Sequence, residues 1–412
     1  MTSAVINTNT VNGVIRNTES KPDLVCFSHL RWNFVYQRPQ HLLSRFAHER
    51  RVFFVEEPVF GSGSMRLECS EAKHNVYVVV PHLPDGLKSE VATHAILREM
   101  TGRLMRERGI RDDFIAWYYT PMALEFTDHL NPSVVIYDCM DELSAFKGAP
   151  ARLKECERDL LRRADLVFTG GHSLYEAKKD QHHAIYPFPS SIDRDHFNRA
   201  RTMAADPDDQ REIAHPRLGF FGVIDERLDI ELLRGIAESR PDWQIVLVGP
   251  VVKIDPATLP QLPNIHYLGQ KDYRDLPNYI AGWDVALLPF AINESTRFIS
   301  PTKTPEYLAA GKPVVSTAIA DVVRPYGELG LVRIATDTSE FIRAIAETLA
   351  ENERSGWLAQ ADTFLAQTSW DDTWRRMSKL IANVKPAPAI AAAALAPDAY
   401  HVEDPAVTRT AA

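Results

Sequence analysis

Cysteine is sparse: Cys26, Cys69, Cys139 and Cys156 are the only four in 412 residues. They stand far apart, which argues against a disulfide scaffold or a paired-cysteine zinc module. Reduced thiols in a cytoplasmic protein are expected. Long apolar runs are also missing. Nothing approaches the ~20 residues of a membrane helix, and residues 1–20 are polar, without the apolar core of a secretion signal. At most, peripheral contact with the inner face of a membrane is compatible with such a chain. Positive charge is in deficit, 46 Lys and Arg against 55 Asp and Glu, so no nucleic-acid partner is expected. Three motifs are absent: G-x-G-x-x-G after an early strand, G-x-x-x-x-G-K-[ST], and G-x-S-x-G. A nicotinamide or flavin enzyme, a P-loop nucleoside triphosphatase and an α/β-hydrolase therefore lack support.

What is present is a soluble composition, 45% hydrophobic and 25% charged, in a length that suggests two domains. Short runs apolar on both faces recur along the chain. In the first half they include DLVCFS (23–28), RVFFVE (51–56), NVYVVV (75–80), DFIAWY (113–118), SVVIYD (133–138) and DLVFTG (165–170). In the second half RLGFFGVI (217–224), WQIVLVG (243–249), IHYLG (265–269), WDVALLPF (283–290), PVVST (313–317) and LVRIA (331–335) repeat the pattern. Such runs suit parallel strands covered by helices. The expected fold is α/β, two doubly wound Rossmann-like domains facing across a cleft. The boundaries expected are a disordered 1–20, a first domain over 21–198, a linker over 199–215, a second domain over 216–366, a terminal helix over 367–384 and a disordered tail over 385–412. Trp370, Trp374, Met377, Leu380 and Ile381 share one face of that helix, which makes the tryptophans core or hinge residues.

The densest chemical signal is Ser300-Pro301-Thr302-Lys303-Thr304-Pro305-Glu306, followed by Tyr307-Leu308-Ala309-Ala310-Gly311-Lys312-Pro313. Proline fits a helix only in its first turn, so a short helix starts near Thr302 and ends at Gly311. Free N–H groups at Lys303 and Thr304, with the lysine ammonium, would form an anion site. Glu306, one turn in, could accept two hydrogen bonds from a diol such as a ribose. Elsewhere, His29 and Arg38 lie in an aromatic- and amide-rich loop after the first strand and suit acceptor contacts. His172 follows Gly170-Gly171, where a backbone can approach a ligand, although a loop histidine is more often only solvated. Asp193-Arg194-Asp195 has the look of a metal motif but fits a helix cap better, and no metal site is expected.

The run Glu306-Tyr307-Leu308-Ala309-Ala310-Gly311-Lys312-Pro313-Val314-Val315 resembles the E-x-x-A-x-G-x-P-V-V helix of family 4 glycosyltransferases of the GT-B fold. Pro187-Phe188-Pro189-Ser190-Ser191-Ile192-Asp193 with Phe197 is similar to the same family's P-N-G-V-D-x-x-x-F landmark. The resemblance implies a sugar transferred from a nucleotide-diphosphate-sugar donor to a saccharide or lipid-linked acceptor, with retention, in surface polysaccharide synthesis. The nucleotide sugar is then a substrate, and no cofactor or metal is required. It further implies a terminal helix crossing back onto the first domain. The donor would be held by Gly222, Arg227, Gly249, Arg297, Thr302, Lys303 and Glu306, with Arg227 and Lys303 easing departure of the diphosphate. Val223 stands where the family usually has a second basic residue, and Phe298 where it has a first glutamate. Asp138 and Asp141 occupy the place of the family's polar catalytic residue, though either could equally cap the next segment. Two rival readings share the scaffold: a nucleotide-sugar epimerase, or a non-catalytic binding subunit. Neither sequence reading gives the oligomeric state.

Overall fold

The computed structural model describes residues 21–87 and 89–384; the segments expected to be disordered, 1–20 and 385–412, fall outside them. The first half contains β1 (Leu24–Ser28), β2 (Val52–Glu56), β3 (Val59–Gly61), β4 (Arg66–Lys73), β5 (Val76–Pro84), β6 (Ile115–Tyr118), β7 (Val134–Cys139), β8 (Leu166–Thr169) and β9 (Ile185–Pro187). They form one sheet in the order β3-β5-β2-β1-β6-β7-β8-β9, with β4 pairing β5. All pairs are parallel except β4 with β5. The second half contains β10 (Arg217–Phe221), β11 (Gln244–Val248), β12 (Ile265–Gly269), β13 (Val285–Leu288), β14 (Val314–Ser316) and β15 (Val332–Ile334). These make a wholly parallel sheet in the order β12-β11-β10-β13-β14-β15.

The apolar runs become central strands because both of their faces are covered. Leu24, Cys26, Trp117 and Phe168 pack on one side of the first sheet, and Val25, Phe27, Ala116 and Val167 on the other. The strands not expected from the sequence are edge features. β4, RLECSEAK, is largely exposed, so its charged side chains carry no apolar pattern; charge on an edge also discourages pairing with other chains. β9 is a short edge strand beside β8.

Order reverses between β1 and β6 in the first sheet and between β10 and β13 in the second. Ligands of open α/β sheets bind at the carboxyl ends of strands flanking such a reversal. The loops after β1, β10 and β13 are therefore where a site is expected. The 199–215 segment, expected to be a polar linker, is instead packed on the second sheet. Gln210 is wholly buried and bonds Tyr279 O and Trp283 Nε1, and Asp206 pairs with Arg217 at 2.6 Å.

The helix Trp370–Ala382 returns to the first half, as expected. Its buried Trp370, Met377 and Ile381 join the first-sheet core. Trp370 stacks on His41 with centroids 4.6 Å apart and planes 8° apart, and Asp371 pairs with Arg45 at 2.6 Å. A second aromatic contact crosses between halves, Tyr36 stacked on Tyr273 at 4.6 Å. The two sheets are thus held as one unit around a cleft.

Candidate active site

The helix carrying Glu306 spans Lys303–Ala309, after Thr302 and before Gly311. Pro305 sits in its first turn, and Gly311 takes the left-handed φ of 73° that ends it. The helix is fixed to the second sheet by Tyr307: the Phe221 N–H, at the end of β10, donates to the Tyr307 hydroxyl at 3.0 Å. Glu306, the preceding residue, therefore faces the cleft. One expectation needs correction. The Thr304 N–H already donates to Pro301 O at 3.2 Å, so the helix start offers less to an anion than its sequence suggests.

Two glycines let backbone come close here. A Cβ at Gly222 would lie 2.2 Å from Lys303 Cε, and one at Gly249 would lie 1.8 Å from Gly222 O. Both residues also have φ in the glycine region, 137° and 152°. Any side chain at either position would displace Lys303 or the β10–β11 backbone.

A cleft of about 750 Å³ runs between the two halves, within the usual range of ligand sites. The second half contributes Gly222, Arg227, Gly249, Tyr273, Thr302, Lys303 and Glu306; the first half contributes the loop Trp32–Gln37. A smaller cavity of about 100 Å³ continues from it and is lined by Asp141, Gly170, Ser190, Arg227 and Lys303 among others. Glu306 is 6% exposed and its Oε2 has no partner. Burial pushes its carboxyl well above the usual carboxylate range, against the pull of Lys303. Burial and then the nearby Arg227 push the Lys303 ammonium down. That ammonium makes no hydrogen bond among the described residues and lies 5.6 Å from the Phe220 ring and 5.8 Å from Phe290. Arg227 is held by Asp225 through Nε and Nη2, at 2.7 to 3.1 Å. Burial raises Asp141 to about 6, with Arg227 and then Arg38 opposing that rise.

Residues 215–351 match the family described as Glycosyl transferases group 1. A curated relative, the putative teichuronic acid biosynthesis glycosyltransferase TuaH of Bacillus subtilis (strain 168), is 25% identical over 284 residues, covering 64% of this chain and 70% of its own. The chain is a glycosyltransferase. Its fold is GT-B. The Escherichia coli structure named for trehalose-6-phosphate and bound with UDP-2-fluoro glucose superposes with a TM-score of 0.66 at 13% identity, covering 89% of this chain and all of the other. Anabaena Alr3699/HepE, in complex with UDP and glucose, gives 0.62 at 14% identity over 88% of this chain and 100% of its own.

Within this glycosyltransferase the sequence-selected residues separate into two groups. Gly222, Arg227, Gly249, Thr302, Lys303, Glu306 and Asp141 converge on the two connected cavities. Asp138 and Arg38 do not act as free groups. Asp138 is 0% exposed, and its carboxylate receives three hydrogen bonds from Arg38 at 2.8 to 3.1 Å. Arg38 Nη1 donates to Phe188 O at 2.7 Å, so although Arg38 borders the small cavity, each of its three guanidinium nitrogens already bonds protein. Of the two candidate carboxylates, Asp141 is the one that reaches the site. Arg297 lies outside both cavities, paired with Glu294 at 3.8 Å and over the Phe298 ring. The reason lies in the other half of the chain: Phe298 packs against the first-sheet core and leaves its neighbour turned to solvent.

His172 and His29 are also elsewhere. The His172 and Ser173 N–H groups donate to Asp321 of the second half, both at 2.9 Å, so this helix start serves contact between domains. A Cβ at Gly171 would meet Asp321 Oδ2 at 2.1 Å, which explains the second glycine there. His29 lines neither cavity. Burial, then the charge of Lys253, lowers it to about 4, leaving it neutral at neutral pH. Sequence reasoning passed over Trp32, Tyr36, Gln37 and Tyr273, which line the main cleft. The signal for the first three is the aromatic and amide density of the 28–41 loop, in which His29 lines neither cavity and Arg38 borders only the small one.

Proposed function

We propose that this glycosyltransferase takes a nucleotide-diphosphate-sugar donor in the main cleft and passes the sugar to a saccharide or lipid-linked acceptor entering from the first domain. The observation that carries the reading is the buried Glu306, whose Oε2 has no partner, beside the Lys303 ammonium and Arg227. A buried charge left without partners costs several kcal/mol unless a ligand completes it. Glu306 accepts the two ribose hydroxyls, and Gly222 and Gly249 let the diphosphate lie against backbone. Arg227 and Lys303 neutralise the charge that grows on the leaving diphosphate. Asp141 faces the transferred ring across the small cavity, where a carboxylate stabilises developing positive charge. Closure around the donor excludes water. The acceptor hydroxyl then attacks from the face the leaving group departs, so configuration is retained without a protein nucleophile. The positive charge comes from side chains, so no metal is called for. The likeness to a teichuronic acid enzyme supports surface polysaccharide assembly, carried out by a cytoplasmic protein at the inner face of the membrane. Among the described residues no helix is long and apolar enough to cross a membrane.

A thermal-shift screen of nucleoside diphosphates and nucleotide sugars tests this. One nucleotide class should raise the melting temperature. Glu306→Gln should weaken its affinity by about tenfold or more, the scale of a charged hydrogen bond, and Lys303→Ala should weaken it less. Transfer should be unchanged by EDTA. A selective nucleotide response that survives Glu306→Gln intact would place the ribose elsewhere, and no response to any nucleotide would favour a non-catalytic scaffold.

A further inference from the structure

We propose that Phe146 of the first domain is a positioning residue for the Arg227 guanidinium, so that the clamp on the leaving diphosphate is complete only when the two domains meet. The proposal rests on the reading of Arg227 as a diphosphate ligand. Arg227 is gripped on one side by Asp225 through Nε and Nη2, while Nη1 makes no hydrogen bond among the described residues. Its Cζ also lies 5.6 Å from the centroid of the Phe146 ring, and the Lys253 ammonium lies 5.7 Å from that same centroid. The next residue contributes too: the Lys147 N–H donates to Glu226 Oε1 at 3.1 Å. Two consecutive residues of the first domain thus meet three charged residues of the second.

The loop bearing Phe146 is anchored from behind by a charge network that lines neither cavity. Lys178 Nζ pairs with Glu142 at 2.7 Å and with Glu157 at 2.8 Å. Glu142 also accepts from the Ser144 hydroxyl at 2.6 Å, and Glu157 from the Tyr137 hydroxyl at 2.7 Å. Lys178 belongs to the helix His172–Lys178, whose first N–H groups are held by Asp321 of the second domain. That helix therefore meets the second domain at one end and braces the Phe146 loop at the other. On the receiving side, Lys253 has φ 62°, a left-handed backbone uncommon for a residue with a side chain.

An aromatic face attracts a cation through its quadrupole, more strongly as water is removed. With Phe146 in place, the guanidinium is shielded and its direction set before charge develops on the diphosphate, which is what preorganised stabilisation requires. If the domains part, the ring leaves with the first domain and Arg227 is hydrated instead.

Inorganic pyrophosphate, which carries no base or sugar, is the probe, titrated calorimetrically into the full chain. Arg227→Ala should weaken it most. Phe146→Ala should weaken it by about tenfold, within the range of a desolvated cation–aromatic contact. Phe146→Leu, which keeps the apolar bulk without the quadrupole, should lose nearly as much, while Phe146→Tyr should stay within about twofold of the parent. In the Arg227→Ala background, Phe146→Ala should add less than about twofold, because the two act as one unit. Losses that multiply, a Leu variant as good as the parent, or a silent Phe146→Ala beside an impaired Arg227→Ala would overturn the role of Phe146 alone. No binding by the parent, or binding indifferent to Arg227→Ala, would overturn the clamp itself and Phe146 with it.

Discussion

In the first half Arg38 and Asp138 meet out of water, 3% and 0% exposed, joined through Arg38 Nε and Nη2, while Nη1 donates to Phe188 O. In the second half Lys303 and Glu306 face the cleft without bonding each other, and Glu306 Oε2 is unpartnered. Both sets are charged side chains in or after the carboxyl-end residues of parallel strands. The first set is sealed by a neighbouring element, because the helix Arg38–Phe46 and β7 bring complementary groups together. The second is left open because Gly222 and Gly249 keep the space in front of it clear of side chains. A satisfied buried charge fixes where an element sits; an unsatisfied one marks where a ligand must arrive.

That contrast can be broken most decisively at Asp138. Asp138→Ala strands a buried guanidinium and should cost about 3 to 5 kcal/mol in a denaturant unfolding titration. A loss below 1 kcal/mol would mean that Arg38 finds other partners and that the pair is not what seats the helix. Glu306 should respond with the opposite sign. Its carboxyl is raised in the folded state by burial, so its contribution to stability is present at low pH and is lost as pH rises above the usual carboxylate range. Glu306→Gln has no such loss and should melt above the parent at pH 8 while binding nucleotide worse, with the melting gap shrinking toward pH 4. Equal melting at both values would show that the carboxylate is satisfied after all. The mildest effect is at Asp141, raised to about 6. In the proposed role it acts ionised, so kcat should fall as pH drops through about 6, and Asp141→Asn should flatten that acid limb. An acid limb unchanged in the variant would assign the titration to another group.

The terminal helix offers a second lesson about legibility. Its apolar spacing made Trp370 a core residue from sequence alone, and its stack on His41 belongs to the first-sheet core. Arg297 and Lys303 offer the same chemistry, two cations six residues apart at the start of one helix and the loop before it. Packing of Phe298 against the other half separated them, turning Arg297 to solvent while Lys303 stayed in the cleft. No local pattern distinguishes such neighbours, because the contact that decides between them comes from a different domain. The same holds for Asp138 and Asp141: strand alternation places both near β7, and only Arg38, 100 positions earlier in the chain, decides which carboxylate is occupied.

The amino-acid order alone determined the central parallel strands of both sheets, the short helix framed by Pro305 and Gly311, and Glu306 as its acidic residue. Those features follow from strand patterning, proline sterics and glycine conformation, all of which act over a few residues. Only the tertiary structure decided which charges are paired away, that the Trp32–Gln37 loop lines the main cleft, and that Phe146 reaches Arg227. Each of those depends on groups far apart in the chain meeting where water is excluded, and a buried charge takes its role from the partners it finds there.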